Sequence, residues 1–141
     1  MSTHTIELPE LSVDLVEKAK RSTGPLADMD EESLKVIERR YRQFLALARD
    51  HRDVNLVPTR EIDEMWHVHM LCPVAYFDDC TQIAGQIMDH DGGFGRADGE
   101  VEEWRRQWNE TSAIWEREFQ ESYGPDMMTC DNGWGRMLPR S

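Results

Sequence analysis

Apolar residues recur along most of this chain at spacings of three and four, the period of a helix with one buried face. Leu11, Leu15, Val16 and Ala19 make a short first run, and Gly24-Pro25 stops it, which predicts a helix from Leu11 to about Ser22. The clearest stripe is Leu34, Ile37, Tyr41, Phe44, Leu45 and Ala48. Asp30 suits the N-cap before it, Glu31 and Glu32 suit the positive end of the helix dipole, and the helix should fade near His51 with Arg39, Arg40, Arg42 and Arg49 facing outward. Thr59 is the next cap. It opens a helix with Ile62, Met65, Trp66 and His69 along one side and Asp63, His67 and Met70 along the neighbouring side. A fourth helix is predicted from Pro73, tolerated in a first turn, to about Asp89, with Tyr76, Cys80, Ile83, Ile87 and His90 inward. A fifth runs from about Gly99 to Ser122 on the stripe Val101, Trp104, Trp108, Ser112, Trp115 and Phe119, whose tryptophans read as packing. No strand alternation and no internal repeat appears. The expected fold is all-α, a single-domain bundle of about five helices. Residues 1–10 form an N-terminal arm, 11–124 the helical domain, and 125–141, with Cys130 and Trp134, an irregular C-terminal tail.

Composition narrows the function classes. At 141 residues the chain has the size of one domain with a core of its own. Sixteen basic against 28 acidic residues give a net charge of −12, spread along the chain, which repels phosphate backbones and argues against nucleic-acid binding. No apolar run approaches the roughly 18 residues of a membrane span, and the first residues lack the charged and apolar regions of a secretory signal. Three cysteines cannot all pair within one chain, so a reduced, cytoplasmic protein is expected, with a small molecule or another protein as partner.

The chemistry gathers between Pro58 and Gly95, where His67, His69, His90, Cys72, Cys80 and several carboxylates lie. Residues two apart on a regular helix point nearly opposite ways, so His67 and His69 can share an ion only if the backbone gives. Pro73 has no N–H for the His69 carbonyl and is expected to loosen the helix there. Both imidazoles would then converge with His90 on a divalent metal, zinc ahead of iron. Asp63, one turn before His67, is expected to support the site or join it. Cys80 as a fourth ligand would close the site, and Tyr76 on the same face would move protons in a catalytic one, as would Asp63. The rival reading is a non-catalytic interaction module in which Trp66 and His69 are core, Asp63 and His67 are an i,i+4 pair and Cys80 is a small buried hydrophobe. A thiol enzyme using Cys80 with His90 is a third.

Taken together, Pro58, Thr59, Asp63, Trp66, His67, His69, Pro73, Tyr76, Asp79, Cys80, Gly85 and His90 form a pattern that resembles the glycine-rich domain-containing protein-like family, long catalogued as a domain of unknown function. Thr111, Trp115, Phe119 and Tyr123 fit the downstream part, so the resemblance covers roughly residues 34–124. It implies no settled reaction. Plant members are large, with a glycine-rich tail and in some cases an RNA-binding segment. DGGFG here is not such a tail, and RNA binding is not carried over.

Overall fold

The computed structural model describes residues 5–124 and 135–140. Its longest apolar stripe becomes α2, Glu31–Asp50, around which the other helices gather. The Asp30 side chain accepts the Ser33 N–H at 2.8 Å, satisfying a backbone donor at the helix start in a contact worth about 1 kcal/mol. The six stripe residues from Leu34 to Ala48 are all buried. α1 is shorter than its periodicity predicts, Leu15–Lys20, because Asp14 caps it by accepting the Glu17 N–H at 3.1 Å. After Gly24 the chain makes a 3₁₀ turn, Pro25–Asp28, rather than a plain loop. α3, Arg60–Met70, starts on the expected Thr59 cap, whose hydroxyl accepts the Ile62 N–H at 3.2 Å. α3 packs on α1 and α2.

The fourth helix ends early. α4 covers Pro73–Ala84, and Gly85, at φ 75°, takes the left-handed conformation that closes helices and that a residue with a side chain resists. Two expectations change with it: Ile87 is half exposed, and His90 stands on a strand instead of an inward helix face. α5, Glu100–Phe119, buries Trp104, Trp108 and Trp115, but Val101 is exposed, and Gln107, Thr111 and Ile114 complete the inner face. Thr111 Oγ1 there accepts the Val57 N–H at 3.0 Å, tying α5 to the segment before α3.

Against the expectation of no strands, His90–Gly92 (β1) pairs antiparallel with Gly135–Met137 (β2), with His90 opposite Met137 and Gly92 opposite Gly135. A bridge from Leu56 to Met137 attaches this ribbon to the core. The class is nevertheless helical: five α-helices around one apolar core, with one small ribbon, among the described residues. Cys130 and Trp134 lie outside the described residues.

Three arginines expected on a solvated face hold other chain segments. Arg42 Nε donates to the Pro9 carbonyl at 2.8 Å and Arg49 Nη1 to that of Glu7 at 2.9 Å, laying residues 5–12 along α2. Arg40 donates to the Tyr123 carbonyl at 2.6 Å and lies 4.8 Å over the Trp115 ring. Arg140, buried, donates to the carbonyls of Ala48 and His51 at the C-terminal end of α2, where a cation complements the helix dipole, and to that of Val54 in the loop after it. Burial lowers its pKa to about 10.

Candidate metal centre

The expected loosening of α3 does not occur. Leu71 N donates to the His67 carbonyl at 3.1 Å, and Cys72 N reaches the His69 carbonyl at 2.9 Å, supplying the hydrogen bond that Pro73 lacks. The backbone therefore stays helical through Met70, and His67 and His69 diverge as a regular helix requires.

His69 turns into the core and is fully buried. Its Nε2 lies 2.9 Å from Asp79 Oδ2 and its Nδ1 2.7 Å from the Tyr41 hydroxyl. A carboxylate only accepts, so Nε2–H donates to Asp79 and Nδ1 accepts from Tyr41. Asp79 also accepts the Ser12 N–H at 3.1 Å. Burial lowers the His69 pKa despite the opposing pull of Asp79, and both ring nitrogens are engaged. The structure thus keeps His69 apart from the other two histidines.

His67, on the other side of α3, meets a different set. Asp63 sits one turn earlier on the same helix, and β1 delivers His90 opposite them. His90 Nε2 lies 2.7 Å from Asp63 Oδ1 and 3.1 Å from His67 Nε2, and His67 Nε2 lies 3.5 Å from Asp63 Oδ2. One ligand atom from each of the three falls within 4.8 Å of the others. Four-coordinate zinc at about 2.0–2.1 Å from each donor sets its donors roughly 3.3 Å apart, and the two imidazole nitrogens, 3.1 Å apart, already stand near that spacing. Two imidazoles and one carboxylate are also the donor set of non-haem iron sites with free positions. The site is one-sided: the His90 and Asp63 side chains are 10% and 8% exposed, that of His67 44%.

The remaining predicted residues support this cluster from outside. Trp66 Nε1 donates to the Tyr76 hydroxyl at 2.9 Å, and that hydroxyl donates to the Met88 carbonyl. The Trp66 ring meets His90 edge-on with centroids 4.3 Å apart. Tyr76 is therefore a strut holding the turn that carries His90, and burial raises its pKa far above the range of a useful acid. Cys80 is fully buried beside Tyr76 and the Met88 backbone, burial pushes its thiol up, and it is not one of the three converging groups. Sequence reasoning missed that Tyr41 and Asp79 would pair with His69. A tyrosine on the apolar stripe of α2 and an acid preceding the buried Cys80 were the available signals.

A family model described as glycine-rich domain-containing protein-like matches residues 2–79. The chain belongs to that family. The matched stretch contains Asp63, His67, His69 and Asp79, while His90 lies beyond it. Glycine-rich domain-containing protein 1 of Arabidopsis thaliana is 34% identical to this family member over 88 residues, which are 60% of this chain and 11% of that protein. Glycine-rich domain-containing protein 2 of the same plant is 31% identical over 91 residues, with the same two shares. The chain thus spans about a ninth of these relatives. No solved structure matches it. Among the described residues no helix is long and apolar enough to cross a membrane.

Proposed function

We propose that this protein binds one divalent metal ion through Asp63, His67 and His90, and that the exposed side of His67 leaves the ion open to a small molecule. The observation that carries the reading is the convergence of two imidazole nitrogens and a carboxylate from separate elements, two of them largely buried, within 4.8 Å. Buried polar atoms aimed at one point, with more lone pairs than protons to share, favour a cation there. Zinc is the first expectation and iron the second. Bound there, either ion would lower the pKa of a coordinated water and polarise an oxygen of a substrate. Asp63 offsets part of the ion's charge and orients the two imidazoles, and the edge of Trp66 fixes the plane of His90. His69 belongs to the fold in this reading, and Cys80 does not ligate.

The deciding experiment is elemental analysis of the full chain purified without chelator, beside a His67→Ala/His90→Ala double variant. About one equivalent of zinc or iron, absent from a folded double variant, is the expected result. No metal in the wild type after incubation with either ion would overturn the reading and favour the non-catalytic interaction module.

A further inference from the structure

Beside His67 a groove runs between α3 and the segment from Lys18 to Leu26. It consists of two adjoining hollows of about 400 and 240 Å³ that share Arg21, Ser22, Val68 and Leu71. The larger hollow alone falls in the lower part of the size range of small-molecule sites, about 300–1,000 Å³. The larger hollow ends at His67 and Glu64, and the smaller continues to Lys18. The walls are apolar: Leu26, Val68 and Leu71, the last 79% exposed and so a hydrophobic side chain that nothing in the described fold covers. Arg21 and Lys18 have no ion-pair partner among the described residues, although the chain carries a net charge of −12 and most of its other cations are paired. The groove is therefore polarised, with Lys18 on the side of the smaller hollow, Glu64 and His67 on that of the larger, and Arg21 beside apolar Val68 and Leu71 where the two adjoin.

We propose that this groove binds a small organic monoanion, a carboxylate with an apolar body. Its head pairs with Arg21, whose planar fork matches a carboxylate, and Lys18 adds to the attraction. Its body lies over Val68 and Leu71. Glu64 repels a carboxylate at the far end, so the ligand enters in one orientation and presents its tail to His67. A singly charged ligand fits better than a dianion, because each further negative charge meets the field of an acidic protein. The placement of the tail rests on the metal reading above, whereas the grip on the carboxylate does not.

Octanoate and octanol, identical in body and differing in head, test the idea by calorimetric titration of the full chain with and without zinc. The expected result is octanoate binding at least tenfold tighter than octanol, a preference that Arg21→Gln abolishes. Arg21 is exposed and unpaired, so melting temperature and zinc content should stay at wild-type values in that variant. Equal binding of the two probes, binding of neither, or an unchanged preference in Arg21→Gln overturns the proposal. His67→Ala separates it from the metal reading: zinc should be lost while the octanoate preference remains. Octanoate binding by a wild-type chain that takes up no metal would overturn the metal reading and leave the groove standing.

Discussion

Two histidines separated by a single residue, on an undistorted helix, end in opposite environments. His69 has each ring nitrogen committed, one to Asp79 and one to Tyr41, in a set where donors and acceptors match and little solvent enters. His67 shares its Nε2 neighbourhood with a second imidazole and a carboxylate, leaves nearly half its side chain in water, and has no such closure. The difference lies in how the surrounding hydrogen-bonding groups balance, since the residue type and the helix are the same. A histidine whose partners complete each other is a structural part, and one whose partners leave lone pairs converging is where an ion would add something.

Breaking the closed set should have the largest effect. Asp79→Ala leaves His69 Nε2–H and the Ser12 N–H without their charged acceptor, and should lower unfolding free energy by about 3 kcal/mol in denaturant titrations, the upper end of the range for such hydrogen bonds. A loss below about 1 kcal/mol would mean the buried network is dispensable. Next comes the open set: zinc at roughly a hundred times its dissociation constant should stabilise the wild type by about 2.7 kcal/mol. His90→Ala should remove that zinc response, whereas Tyr41→Phe should keep it. Tyr41→Phe itself takes away the donor to His69 Nδ1 and should cost about 1–3 kcal/mol, the range for a buried group left unsatisfied. A Tyr41→Phe chain as stable as wild type would show that this nitrogen needs no partner.

The smallest effect concerns the thiol that a closed metal site would have used. Burial raises Cys80 above its usual 9.0, so at pH 8 iodoacetamide should label half-buried Cys72 on the folded chain and reach Cys80 only after denaturant is added. The unfolded thiol loses its proton first. Cys80 therefore contributes stability that is complete below pH 9 and declines as pH rises toward the folded value, and Cys80→Ala should flatten that alkaline slope. Rapid labelling of Cys80 on the native chain would place it nearer solvent than the core.

Local signals carried much of this architecture. The caps at Asp30 and Thr59 and the α2 stripe are interactions within a few residues, so the sequence displays them directly. The end of α4 was also legible, since Gly85 is a recognisable stop, but the periodic run through His90 outweighed it. What stayed hidden depends on distant segments. β1 exists because residues 135–137 return to it, and three residues are too few to show an alternation. At the site, Asp63 and His67 could be read from their spacing of four, and His90 from its type, although it arrives on a strand. His69 joins the expected ligand set only if Pro73, four residues on and without an N–H for its carbonyl, distorts the helix. A backbone N–H one residue earlier meets that carbonyl instead.

The ribbon also imposes an order of events on the making of this protein. His90 is held in place by a strand 45 positions later, through the register that sets it opposite Met137, with Gly135 close to its ring. While the chain is being synthesised, Asp63 and His67 leave the ribosome together on one helix, but His90 has nothing to pair with until Gly135–Met137 emerges. A product stopped short of that strand would carry Asp63 and His67 in place on α3, while His90 would lack the register that sets it opposite Met137.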